Sequence, residues 1–259
     1  MTPIETFEAE RRLRVQQNRS DTEFQSLSRS WLEAAFRRKY SYSFTWLGRP
    51  IIQFPQDIVG VQELIWETKP DLIVETGIAH GGSLILSASM LALLDLCEAI
   101  ESGTMMNPSE SRRRVLGIDV DIRPHNRAAI EAHPMAGWIE MVEGSSIDPR
   151  VIAQVSSRAA GYSRIMLLLD SNHTHQHVLA ELEAYARLVC AGSYCVVFDT
   201  CIEDMPPELS SDRPWGPGNG PKGAVAEFLR GHPEFEIASE LCDKLSITCL
   251  PGGVLKRVS

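Results

Sequence analysis

The glycines after the first expected strand, Gly77, Gly81 and Gly82, lack the G-x-G-x-x-G spacing of the dinucleotide fingerprint, and no Walker-type G-K-[ST] occurs in this sequence, so a phosphate-cradling P-loop has no lysine to serve it. Six cysteines form no C-x-x-C pair, which removes the common zinc and dithiol spacings. They stand at Cys97, Cys190, Cys195, Cys201, Cys242 and Cys249, several in apolar strand-like contexts, and read as reduced thiols packed as small hydrophobes. Positive charge is scarce: 25 Lys and Arg against 34 Asp and Glu leave a formal net charge of −9, which excludes the basic footprint of a nucleic-acid binder. The basic runs Arg11-Arg12-Leu13-Arg14 and Arg37-Arg38-Lys39 have acidic residues nearby and read as solvated helix faces. No apolar stretch is read as reaching the roughly 18 residues of a spanning helix, and no signal-peptide core is seen. A soluble, cytoplasmic protein with no membrane span and no nucleic-acid partner is expected. Internal repeats and low-complexity tracts are absent.

What is present fits one sizeable α/β domain. The 259 residues are 44% hydrophobic, enough for a single core of this size. The most informative stretch runs from Asp71 to Ser83. Leu72-Ile73-Val74 suits a strand covered on both faces, and Glu75 then leads into Gly77, Gly81 and Gly82, where backbone must bend or approach a ligand closely. A helix is expected from Ser83 to Ile100. Strand, glycine-rich turn and helix open a doubly wound fold, which takes its ligands at the carboxyl ends of the strands. An acid at the strand tip repels a pyrophosphate but suits an ammonium group or a ribose hydroxyl. S-adenosylmethionine carries both.

Residues 5–39 alternate charged and apolar positions at helical spacing, with Phe24, Leu27, Trp31, Leu32 and Ala35 on the apolar side. One or two amphipathic helices are expected, capping the site or forming a homo-oligomer contact. Tyr40 to Pro55 is aromatic and broken by Gly48 and Pro50, an ordered loop leading to a helix at Asp57–Thr68. The division is therefore 1–56 for a helical extension and 57–259 for the main domain. Strands are expected at Val115–Val120, Ile139–Glu143, Arg164–Leu169 and Tyr194–Phe198. Helices at Pro124–Ala132, Pro149–Ala159 and Thr174–Cys190 separate most of them, so the βαβ units are parallel. A Pro/Gly/Asp-rich stretch from Pro206 to Lys222 has the length and composition of a lid or binding loop. A helix at Gly223–Arg230 and strands at Phe235–Glu240 and Leu245–Leu250 follow.

Acidic residues end several of these strands. Asp119 stands where the second strand presents an acid to ribose hydroxyls. Glu143-Gly144-Ser145-Ser146 ends the third, with small residues that let adenine or ribose lie near backbone; an ordinary turn with Ser146 or Asp148 as helix cap is the equal alternative. Asp170 and His173 follow Met166-Leu167-Leu168-Leu169, and Asp199 follows Val196-Val197-Phe198 on a neighbouring strand. Two carboxylates there suit one Mg²⁺, a substrate diol can replace two of its waters, and His173 can accept the proton. The set suits SN2 transfer of a methyl group. His173, His175 and His177 together are a weak zinc signal, because residues two apart in a helix do not share a face.

Four segments carry a family resemblance: Trp46 to Ile58 (WLGRPIIQFPQDI), Glu75 to Ser83 (ETGIAHGGS), Asp170 to His177 (DSNHTHQH) and Asn219 to Lys222 (NGPK). The chain resembles the cephalosporin hydroxylase/rhamnosyl O-methyltransferase family from Tyr40 to its end. The resemblance implies a Rossmann-like class I methyltransferase sheet, mostly parallel with an antiparallel carboxy-terminal strand, plus the amino-terminal helical extension. It implies S-adenosylmethionine as cofactor, held by Glu75, Thr76, Gly77, Ala79, His80, Ser83, Asp119, Gly144, Ser145, Ser146 and Asp170. Asp170 and His173 match the family's metal-binding Asp and catalytic His, and Mg²⁺ is implied at Asp170 and Asp199. The family's Glu-Asp metal pair falls on Phe198-Asp199. Phe198 cannot ligate, so weaker binding, recruitment of Glu203 or Asp204, and loss of the metal all remain open. The implied reaction is O-methylation of a rhamnose-like deoxyhexose on a natural product or glycan. Two alternatives stand beside it: a component of β-lactam hydroxylation and methoxylation, for which no 2-His-1-carboxylate spacing is found, and a non-catalytic S-adenosylmethionine-binding scaffold.

Overall fold

The computed structural model describes residues 1–259. Helix α1 (Pro3–Ser20) and α2 (Thr22–Arg37) lead. The main sheet uses β3 (Leu72–Thr76), β4 (Arg114–Asp119), β5 (Ile139–Glu143), β6 (Ile165–Leu169), β7 (Tyr194–Val197), β8 (Phe235–Ile237) and β9 (Val254–Arg257). Their spatial order is β5-β4-β3-β6-β7-β9-β8, parallel from β5 to β7, with β9 antiparallel to both β7 and β8. The order reverses between β3 and β4 on one side and β6 on the other, and it is at this switch point that an open α/β sheet forms its crevice.

Both sheet faces are covered, which is why the central strands are apolar throughout instead of alternating with polar residues. Ile73, Val115, Met166 and Val196 pack on the side of α3 (Pro55–Thr68) and α4 (Gly82–Ser102). Leu72, Val74, Leu167 and Val197 pack on the side of α6 (Pro149–Ala159), α7 (His175–Tyr185) and α8 (Pro221–Gly231). Helix α5 (Pro124–Glu131) links β4 to β5.

The strand expected at Phe235–Glu240 stops at Ile237, where a helix follows from Ser239, the closing strand β9 falls where no strand is expected, and the structure departs from the sequence reading in three further places. The loop at 40–55 contains a hairpin, β1 (Phe44–Trp46) paired with β2 (Arg49–Ile51). Its two turn residues, Leu47 and Gly48, have φ of 45° and 87°, the left-handed pair that a tight hairpin turn requires. The expected strand at Leu245–Leu250 is instead the end of α9 (Ser239–Leu245) and a turn. Ser246 sits at φ 60°, and Thr248 Oγ1 and Cys249 N both donate to the Asp57 carboxylate, so this segment bonds to α3 and leaves the ladder to β9. Finally, α4 is long and apolar enough to cross a membrane by length and composition, contrary to the reading that no stretch reaches that length. More than half of its apolar window is buried against the sheet, so its hydrophobicity is that of a core helix.

Candidate active site

The turn after β3 is shaped by close approach. A Cβ on Gly77 would lie 2.0 Å from the Asp170 carbonyl oxygen, and one on Gly82 would lie 2.2 Å from that of Pro50. Gly77 has φ 92° and Ala79 φ 46°, so the turn is held in left-handed backbone. Three side chains hold it there. Asp119 accepts from Ile78 N (2.8 Å) and Ala79 N (3.1 Å). Arg49 donates to the His80 carbonyl (2.6 Å) and to Asn126 Oδ1 (3.0 Å), and Asn126 donates to the Ala79 carbonyl (2.8 Å).

Above the turn lies a cavity of about 600 Å³. Gly77, Ala79, His80, Ser83, Asp170, His173 and Asp199 line it, together with Phe36 and Tyr42 from the leader and Trp215 from the loop after β7. Glu75 lies buried beneath, on the α4 side, where Ser87 Oγ donates to its Oε2 (3.3 Å) and Oε1 has no partner. Burial pushes its carboxyl up to about 7, against the opposing pull of the Ser83 and Ser87 hydroxyls. Thr76 is buried at the β3 tip and its carbonyl accepts from Asp170 N (2.9 Å).

Asp170, His173 and Asp199 each place one ligand-type atom within 4.8 Å of the others. His173 Nε2 is 3.2 Å from Asp199 Oδ2, and the Trp215 ring packs edge-on against the imidazole at 4.9 Å between centroids. Burial and the neighbouring charges of Asp199 and Glu75 hold the Asp170 carboxyl well above the usual range. Asp57, absent from the sequence-based set, lines the same cavity; burial raises its carboxyl to about 7 despite hydrogen bonds from Thr248 and Cys249. Glu75, Asp57, Asp170 and Asp199 thus gather with no Lys or Arg among their partners, and the raised pKa of the first three makes them acids whose ionised form a cationic ligand would favour.

The donor set at Asp170, His173 and Asp199 fits a divalent cation through two carboxylates. Phe198 is 3% exposed and packs in the core, so it supplies nothing. Glu203 and Asp204 are engaged elsewhere: Glu203 accepts from Gly218 N (3.0 Å) and Asp204 from Lys222 Nζ (2.6 Å). Their recruitment is therefore not seen.

Gly144, Ser145 and Ser146 lie outside the cavity lining. Gly144 N donates to the Asp119 carbonyl (2.8 Å), and Ser146 is buried with its Oγ 3.0 Å from His177 Nε2. The three imidazoles diverge: His173 to Asp199, His175 to Glu227 (3.1 Å) and His177 to Ser146 and Glu181, in keeping with a weak zinc signal. Sequence reasoning missed Arg49, Asp57 and Asn126, and also Gln53, which lines the cavity and hydrogen-bonds the Asp170 carboxyl. Only the density of polar residues within the Trp46–Ile58 motif hinted at Arg49, Gln53 and Asp57.

Sheet order, switch point and glycine turn define a Rossmann-like methyltransferase fold of class I. The family model for rhamnosyl O-methyltransferase/CmcI matches residues 38–258, and the chain belongs to that family. A rhamnosyl O-methyltransferase of Mycobacterium leprae (strain TN) is 27% identical over 219 residues, 82% of each chain. One from Mycobacterium tuberculosis (strain ATCC 25618 / H37Rv) is 27% identical over 215 residues, 82% of this chain and 78% of that one. Among solved structures, CmcI in its apo form superposes with a TM-score of 0.56 at 20% identity, covering 84% of this chain and 77% of that one.

Proposed function

We propose that the protein is a cytoplasmic S-adenosylmethionine-dependent O-methyltransferase acting on a hydroxyl of a sugar, a rhamnose-like deoxyhexose on a natural product or glycan. The convergence of Asp170, His173 and Asp199 beneath one cavity at the switch point carries this reading. The sugar is supported by the curated relatives, which are rhamnosyl O-methyltransferases.

When bound, S-adenosylmethionine supplies an electrophilic methyl group, and a divalent cation on Asp170 and Asp199 supplies a lowered pKa for a coordinated hydroxyl. The chain's own residues do the rest. Glu75, with its unpartnered Oε1, offers a buried acceptor for an ammonium group, and the turn from Gly77 to Ser83 presents backbone to it. Asp119 acts through the turn it holds, and Gly144–Ser146, where the sequence placed the adenosine end, lie outside this cavity's lining. His173, lining the cavity with its Nε2 3.2 Å from Asp199 Oδ2, is the base that would accept the acceptor hydroxyl's proton. Trp215 closes over the imidazole and excludes water.

Calorimetry with S-adenosylmethionine, with and without Mg²⁺, followed by a glycoside acceptor screen, tests the reading. His173→Ala is expected to retain cofactor affinity and lose about 100-fold or more in turnover. A wild-type chain that binds no cofactor, or a His173→Ala variant with undiminished turnover, overturns it. The oxygenase alternative draws no support from the cluster, which holds one imidazole and two carboxylates.

A further inference from the structure

Asp199 has a second set of neighbours besides Asp170 and His173. One of its carboxylate oxygens and the Sγ atoms of Cys201 and Cys249 lie within 4.8 Å of one another. Cys201 is 1% and Cys249 7% exposed, and Cys249 also forms part of the cavity wall. The arrangement is fixed by backbone. Asp199, two residues past the end of β7, adopts φ 58°, which turns the chain so that residue 201 returns beside the carboxylate of residue 199. Cys201 N then donates to the Cys249 carbonyl (3.3 Å), and Thr200 Oγ1 donates to the same carbonyl (3.2 Å). Cys249 N donates to Asp57 (2.9 Å), so both thiols hang from hydrogen-bonded backbone.

Cys201 and Cys249 have apolar neighbours in Leu32, Ala35, Phe54 and Met205, but their sulfurs also lie beside the Asp199 carboxylate, and Cys249 reaches the cavity wall. Two sulfurs and one oxygen from the protein, with one position left toward a cavity, match the ligand types and number of an open tetrahedral zinc site. Thiol ligands favour zinc-like ions strongly over Mg²⁺. We propose that Asp199, Cys201 and Cys249 form a site for a thiophilic divalent cation of the Zn²⁺ class. It is distinct in ligands from the pair Asp170 and Asp199, and the two sites compete for the Asp199 carboxylate. Occupancy draws Asp199 away from His173 Nε2, its partner at 3.2 Å, so such an ion is an inhibitor of any chemistry that needs His173 oriented. Both thiols must release their protons to the solvent as the metal–sulfur bonds form.

The test is titration of Co²⁺ into the purified, metal-stripped full chain, read by absorption, with Zn²⁺ calorimetry in two buffers of different ionisation enthalpy. The expected result is a near-ultraviolet thiolate-to-cobalt charge-transfer band that saturates at one ion per chain. It should be lost or much reduced in Cys201→Ser and in Cys249→Ser, with release of about two protons per Zn²⁺ bound at neutral pH. Asp199→Asn should weaken binding tenfold or more while the band persists at high Co²⁺, by roughly the loss seen when a metal site's supporting groups are removed. A wild-type chain that binds Co²⁺ without the band, or binds none, overturns the proposal however the variants fold. A band that survives both serine variants, each shown folded by circular dichroism, overturns it too.

Discussion

Glu75 is a buried carboxyl with one oxygen unpartnered, and that makes it a liability to the ligand-free fold. Its pKa rises from 4.5 to about 7 on folding. A raised acid favours the protonated form in the folded state, so its contribution to stability is full below about 4.5 and gone once pH passes about 7. At 1.36 kcal/mol per unit, the loss is on the order of 3 kcal/mol. Glu75→Gln should therefore melt higher than wild type at pH 8 and nearly alike at pH 5, while binding S-adenosylmethionine more weakly. Thermal melts at the two pH values and calorimetry check both parts; a Gln variant that is less stable at pH 8 contradicts the assignment. Glu75 was legible in the sequence because an acid at a buried strand tip is anomalous in itself. Asp57 was not, since an acid in the first turn of a helix is what helix electrostatics favours anyway. Only its burial against Thr248 and Cys249, nearly two hundred positions away in the chain, marks it as part of the site.

Among the elements, the turn after β3 tolerates least. Gly77→Ala places a Cβ 2.0 Å from a backbone oxygen of the neighbouring strand end, at φ 92°, so neither a rotamer change nor a small shift relieves it. A loss of about 2 kcal/mol or more is expected, measured by denaturant melts. The loop from Pro206 to Lys222 acts at the other side of the cavity. Its anchors are Glu203 to Gly218 N and Lys222 to Asp204, which leave Trp215 against His173. Trp215→Ala should raise the apparent KM for the acceptor about tenfold, roughly 1.4 kcal/mol, with cofactor affinity unchanged; an unaltered KM would remove the lid from the account. The parallel strands were readable because continuous apolar runs bounded by turn residues have few other uses. The β1–β2 hairpin was hidden by its turn, Leu47-Gly48 in place of the usual Asn-Gly. The segment at 245–250 read as a strand from its apolar residues, yet long-range bonds to Asp57 decided its course, and local pattern carries no information about those.

For the whole molecule the question is how the leader belongs to the rest. Helix α1 buries none of its residues, and Arg19 to Asp243 (3.0 Å) is an exposed ion pair of small worth. Helix α2 differs: Leu32 and Ala35 form a small core with Phe54, Cys201, Met205 and Cys249, which joins the leader to the loop after β7 and to the turn before β9. Phe36, Lys39, Ser41 and Tyr42 then complete the cavity wall. The boundary drawn at residue 56 separates elements by topology, but the cavity lies across it. Removing residues 1–20 should shift Tm by no more than a few degrees, since little apolar area is lost. Removing 1–56 uncovers that core and opens the cavity to solvent, so the remaining chain should melt without a sharp transition and bind S-adenosylmethionine at least about a hundredfold more weakly, close to 3 kcal/mol. A 57–259 chain that melts sharply and binds the cofactor as tightly as the full protein would make the leader an independent attachment, and would move the functional role of Phe36 and Tyr42 from the chamber to the surface.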